Sequence, residues 1–163
     1  MGALYFLILI VGFSFALIFE GRVDEEKELE IRILEKVFQD LTGKKNIKVF
    51  VIGPEGQDFA ENIKKFSKKL KKVKACGGSD IVYVAGRYTK KLPPECRGMM
   101  VFGSRREVLF RYSNAVGSFY WKKGRPNLTL IRERLKRMRI RLSPDYNRFI
   151  ESLKESHRER FKR

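Results

Sequence analysis

The chain has 163 residues, 43% of them hydrophobic, with 36 Lys and Arg against 19 Asp and Glu and a formal charge of +17. That supports one domain with its own core and excludes two of ordinary size. A charge so far from balance points to an anionic partner, whether nucleic acid, a membrane surface or an acidic protein face; Lys and Glu crowding the surface of a heat-adapted protein is the competing reading, and it does not explain the positive excess.

The first segment, 1–19, contains an apolar run, "ALYFLILIVGFSFALIF", from Ala3 to Phe19. It is marginal for a membrane span, which takes roughly 20 apolar residues. Ser14-Phe15-Ala16 offers small residues where a signal peptidase reads, although no Lys or Arg precedes the run. The preferred reading is a signal peptide cleaved after Ala16, and the alternative is an uncleaved N-terminal anchor. Both put the remainder, a single α/β domain over 24–163, outside the cytoplasm, periplasmic or membrane-anchored. Long domains cross a membrane largely regardless of charge.

The domain opens with "VDEEKELEIRILEKVFQDLTGKK", an amphipathic helix with acidic residues first and Gly43 as its stop. Leu29, Ile33 and Val37 form its stripe, widened by Leu34, Phe38 and Leu41. "IKVFVIG" is a buried strand ended by Gly53-Pro54, a pair that marks a turn. "QDFAENIKKFSKKLKK" reads as a helix with Phe59, Ile63, Phe66 and Leu70 on one face. Its other face carries Lys64, Lys65, Lys68, Lys69 and Lys72, a candidate contact with an anionic surface. "VKAC" and "SDIVYVAG" are strands, so strand, helix and strand imply a parallel, right-handed crossover.

"RYTKKLPPECRG" is a loop, "MMVFG" a short strand, and "SRREVLFRYSN" a helical turn or a loop. "AVGSFYWKKGRPNLTLI" is read as a hairpin turning at Lys122-Lys123-Gly124. Period-two alternation sends one of its neighbouring aromatics outward. Tyr120, Trp121, Lys122, Lys123 and Arg125 are therefore the candidate partner-binding residues. "RERLKRMRIRL" is a short basic helix, and a last helix starts at Ser143 with Pro144 and Asp145 in its first turn. Together these elements predict an α/β fold with a mixed sheet of about five to six strands flanked by helices, the N-terminal hydrophobic helix lying outside it.

The chemistry-bearing patterns are sparse. "VIGPEGQDF" lacks both the dinucleotide glycine spacing and a phosphate-loop lysine, and no serine stands in a nucleophile elbow. His157 is the only histidine and there is no CxxC, so zinc is disfavoured and no cofactor is implied. Asp80 is a strand-end residue or the partner of a nearby lysine. Aromatics beside Arg and Lys in "FYWKKGR" could stack bases, but the stretch fits no nucleic-acid-binding motif, and export argues against that partner. Cys76 and Cys96 are the only cysteines. In an exported chain an even pair reads as a disulfide closing a loop of about 20 residues, and in a cytosolic one as two buried thiols.

From Gly117 to Ile150 the order is glycine, a hydrophobic strand, a charged turn closing on Gly124-Arg125, a β-run, Leu135 in a helix, then "IRLSPDYNRFI". With this order, with "GSDIVYVAG" preceded by Cys76, and with "IKVFVIG" as first strand, the chain resembles the YfiR-like periplasmic domain family. Arg125, Leu142 and Ser143 stand at the matching places. The chain departs from the family at Pro126, where a β-former is usual, in the unusually basic second half, and in lacking a second cysteine pair. The resemblance covers the chain after about Ile31 as a pattern. It implies an exported, non-catalytic regulator that binds a protein partner in the cell envelope, with a homodimer and a redox-sensitive disulfide as further implications. The best-known members hold an inner-membrane cyclic-di-GMP-producing enzyme inactive through its periplasmic part. The class transfers here, and that specific partner does not.

Overall fold

The computed structural model describes the backbone of residues 2–161 and the side chains of residues 21–159. The signal-peptide or anchor reading of 1–19 therefore lies outside the described residues. Among those described, no helix is long and apolar enough to cross a membrane.

Helix α1 (Gly2–Thr42) buries Ile31, Leu34, Val37, Phe38 and Leu41, the spacing of one helical face. Leu29, expected in that stripe, is 45% exposed. It stands five residues before Leu34, far round the helix from the buried face, and Ile31 fills the core position instead. Strand β1 (Ile47–Ile52), helix α2 (Gly56–Phe66) and strand β2 (Leu70–Val73) follow as the expected parallel crossover. Strands β3 (Ile81–Val84), β4 (Val101–Gly103), β5 (Ala115–Lys122), β6 (Arg125–Ile131) and β7 (Ile150–Glu151) complete one mixed sheet in the order β2-β1-β3-β4-β5-β6-β7. β5 and β6 are antiparallel and every other pair is parallel.

The alternation along β3 and β4 divides the core. Tyr83 and Phe102 face α1 and α2 and pack with Phe38 and Phe59, the Phe59 ring stacking on Tyr83 at 3.9 Å between centroids. Val82, Val84 and Val101 face the other layer, where Leu109 and Tyr112 meet the cysteine pair. Cys76 and Cys96 form a disulfide with Cα atoms 5.3 Å apart, and both are fully buried. It joins two 3₁₀ turns, Cys76–Gly78 and Pro94–Cys96, across the loop that carries β3.

Three elements differ from the sequence reading. The lysine-rich helix stops at Phe66, because Ser67 is extended (φ −121°) and its hydroxyl accepts the N–H groups of Lys69 and Leu70 at 3.1 and 2.9 Å. Leu70 therefore opens β2, opposite Ile47, instead of continuing a helical face. The helix expected from Ser143 is replaced by a 3₁₀ stretch (Pro144–Phe149), β7, and helix α5 (Leu153–Phe161). Ser143 makes no side-chain cap, while Ile150 and Glu151 take the open edge of β6 opposite Leu130 and Ile131. Here the ladder and the Tyr146 hydroxyl, which donates to Asp40 at 2.6 Å, outweigh helix propensity. β7 is also why the sheet has seven strands, where the sequence indicated about five to six.

Two smaller helices complete the chain, α3 (Val108–Arg111) and α4 (Arg132–Arg137). The hairpin turn is confined to Lys123 (φ 51°) and Gly124 (φ 70°), with Lys122 paired to Arg125. Two left-handed residues in a two-residue turn match the twist of the flanking strands.

Asp80, at the start of β3, accepts the Lys48 backbone N–H at 2.8 Å and the Lys44 ammonium. Burial alone would raise its carboxyl. The Lys44 and Lys48 interactions outweigh that and hold it below the ordinary value of 3.8. A depressed carboxyl stabilises the fold above its unfolded pKa, and that contribution is lost as pH falls through the folded one. Asp80→Asn should therefore cost about 1–2 kcal/mol near neutrality and progressively less at an acid pH well below 3.8, where the carboxyl titrates through its depressed folded value. Urea unfolding at the two pH values tests this, and an equal loss at both would contradict the ion-pair account.

Candidate interaction surface

The hairpin tip carries Lys122, Lys123 and Arg125 into solvent, as its alternation requires. Its two aromatics turn away from the tip. Trp121 leans toward α1, where its indole Nε1 donates to Glu30 at 3.1 Å and its ring meets Phe119 edge-on. Tyr120 lies toward the other layer and accepts from Arg106 at 3.3 Å. The structure thus brings the three cations together and assigns Trp121 and Tyr120 largely to internal contacts.

The predicted anionic-surface lysines are distributed over three local structures. Lys64 and Lys65 lie on α2, Lys68 and Lys69 in the turn after it, and Lys72 on β2. Lys65 pairs with Asp24 at 2.8 Å and Lys69 with Glu35 at 3.2 Å. Lys72 on the outermost strand also has a purely structural use, since edge lysines discourage pairing with another sheet.

A groove that the sequence did not single out runs between α1, the hairpin and the 3₁₀ stretch. It is an open space of about 500 Å³. Its floor is Ile33, Val37, Phe119, Leu128 and Phe149, all apolar, and Arg32, Lys36 and Arg148 stand along it with Asp145. Arg32 pairs with Glu28 and Lys36 with Asp40, each at 2.6 Å, one helical turn along α1. The Arg148 guanidinium lies 4.6 Å from the Phe149 ring centre. Such exposed contacts are worth only about 0.3–1 kcal/mol, so the cations can re-pair with an incoming anion. Periodicity hinted at this floor, because Ile33 lies half-buried beside the core stripe. The Phe149 side of the groove was hidden inside a helix that does not form.

A second cavity, about 210 Å³, opens at the carboxyl ends of the central strands. The order β2-β1-β3-β4-β5 reverses direction of travel between β1 and β3, the place where open parallel sheets leave a crevice. Ala85 lies in its wall, with the Glu55 N–H donating to the Ala85 carbonyl at 3.3 Å and the Gly86 N–H to the Ser104 hydroxyl at 2.7 Å. Glu30 reaches in from α1. Burial, the largest cause, pushes the Glu30 carboxyl above its usual range. The Trp121 bond and the nearby Tyr83 hydroxyl pull it partly back, and Asp58 and Glu55 add to the rise. Tyr83 itself is fully buried, which together with Glu30 drives its phenol well above 10.0.

Arg106 is a further residue, in the segment read from sequence as a helical turn or a loop. Its side chain is 12% exposed and bonds Glu151 at 2.6 Å and the buried Ser156 hydroxyl at 3.2 Å, so it fastens β7 and α5 to the β4–β5 connection. Among the described residues, no group of three His, Cys, Asp or Glu could hold a metal ion.

No protein-family model and no curated protein matches the chain. A solved structure described as a conserved domain protein from Vibrio cholerae O1 biovar El Tor str. N16961 aligns with a TM-score of 0.49 and 12% identity. The alignment covers 77% of this chain and 59% of that one, so this chain spans less than two thirds of the protein it aligns with.

Proposed function

We propose that this protein is an exported, non-catalytic regulatory domain, periplasmic or anchored to the outer side of the membrane, whose groove docks an acidic, amphipathic segment of an envelope protein. The groove carries this reading: an apolar floor flanked by Arg32, Lys36 and Arg148 suits a segment with apolar side chains on one face and carboxylates beside them. A chain of formal charge +17 would steer such a partner from a distance. The buried Cys76–Cys96 disulfide is of the kind that persists in oxidising compartments, which supports export. The resemblance to YfiR-like domains supports the regulatory class and leaves the partner open. Anionic lipid is the second reading, favoured by the exposed Lys64, Lys68 and Lys72.

A photo-crosslinking residue at Ile33 in cells expressing the full gene separates the two. The docking reading expects one crosslinked envelope protein, and the exposed pair of changes Arg32→Glu and Arg148→Glu should weaken its binding by about tenfold or more, at most about 1 kcal/mol of stability being lost. Salt-sensitive sedimentation with anionic vesicles that survives this double change, without a protein crosslink, would replace the protein partner by lipid. A crosslink to a second copy would make the groove a dimer surface instead.

A further inference from the structure

We propose that the crevice at the carboxyl ends of β1, β3 and β4 binds a small protonated primary amine. The inference does not rest on the groove, with which the crevice shares no lining residue. Two groups with spare hydrogen-bonding capacity meet in this cavity. Glu30 has no ion pair among the described residues, and its carboxylate accepts only the Trp121 indole N–H in ordinary geometry. The Tyr83 hydroxyl, wholly buried, lies near Glu30 yet makes no hydrogen bond of normal geometry. A carboxylate taken from water without a cation, beside an orphan hydroxyl, is costly unless something supplies donors to both.

The chemistry of the walls selects that something. An ammonium group offers three N–H donors and a positive charge, enough to bond Glu30 and the Tyr83 oxygen together. Phe59, Tyr83 and Trp121 give ring surface for a cation and for its carbon chain. At the mouth the chain already neutralises its own acids with cations, Asp58 with Lys27 at 2.9 Å and Glu55 with Arg105 at 3.2 Å. Glu30, deeper in, is the acid left over. A metal ion is the poorer occupant, because no three carboxylates here come within ligating reach of one point. At about 210 Å³ the cavity is smaller than the roughly 300 Å³ at which drug-sized sites begin, so it fits a molecule of few heavy atoms. Such an amine would be a natural signal for a sensing domain, because it would bridge α1 to the sheet and the hairpin through one carboxylate.

The test uses the protein recovered from cells, and Trp121 is its only tryptophan. Butylamine at neutral pH should change Trp121 fluorescence saturably, and 1-butanol at the same concentration should not. Glu30→Gln keeps an acceptor for the indole and should weaken butylamine by about tenfold or more. If that variant does not fold, the exposed pair Glu55→Gln and Asp58→Asn should weaken it by about threefold. No saturable response to butylamine, an equal response to butanol, or unchanged binding in a folded variant overturns the site.

Discussion

Removing the Cys76–Cys96 bond should cost about 3 kcal/mol and lower the melting temperature by roughly 10 °C. The two residues are 20 apart, and β3, the strand between β1 and β4, lies within the closed loop. Cross-linking therefore restricts in the unfolded chain a segment that must later find the centre of the sheet. Both sulfurs are fully buried among Val82, Val84 and Val101, so a thiolate reductant reaches them only when this layer opens. Reduction of the native protein should accordingly be slow, and fast once mild denaturant is added. Cys76→Ala with Cys96→Ala is the cleaner comparison, because serines would bury two hydroxyls beside those valines. A double variant melting within about 2 °C of the parent would show that the bond adds little to the fold.

The framework of this fold is written in short patterns. β1, β3 and β4 are apolar runs ended by glycine or a turn, the helix between β1 and β2 fixes their parallel direction, and Lys123-Gly124 fixes the hairpin register. Where the sequence misled, a local preference lost to a contact between distant residues. Ser143, Pro144 and Asp145 make a good helix start, but the open edge of β6 and the hydroxyl acceptor on Asp40 draw the next residues into other conformations. Ser67 ends α2 through its own hydroxyl, a feature that a run of lysines conceals. The candidate sites were less legible for the same reason. The charged hairpin tip could be read directly, because its position follows from the turn. Glu30 looks like one acid among several on a solvated helix until the fold sets it 91 residues away against Trp121. Arg106 looks like a loop cation until β7 brings Glu151 to it. Charges acquire a meaning only when the partner is known, and the partner is a matter of topology.

Gly53→Ala is expected to destabilise the protein by about 3–5 kcal/mol and to displace Ala85, which lies in the wall of the crevice. The residue closes β1 with φ +115°, where a side chain is strained whatever the space around it. An added Cβ would also lie 2.1 Å from the Ala85 carbonyl oxygen, and that neighbour cannot step aside. The Ala85 N–H donates to Ile52 at 2.8 Å, and its carbonyl accepts from Glu55, so shifting it loosens the end of β3 and the turn into α2 together. The strain accounts for about 1–3 kcal/mol and the overpacking for a similar amount, a large part of the roughly 5–15 kcal/mol that a domain of this kind has in total. Gly43 provides the control. Its φ is +68° but nothing lies within 4 Å, so Gly43→Ala should lose only about 1 kcal/mol from strain alone. Denaturant unfolding of the two variants separates crowding from strain. Equal losses would mean that the Gly53–Ala85 approach relaxes freely, and that Ala85, in the wall of the crevice, is held less firmly than these hydrogen bonds require.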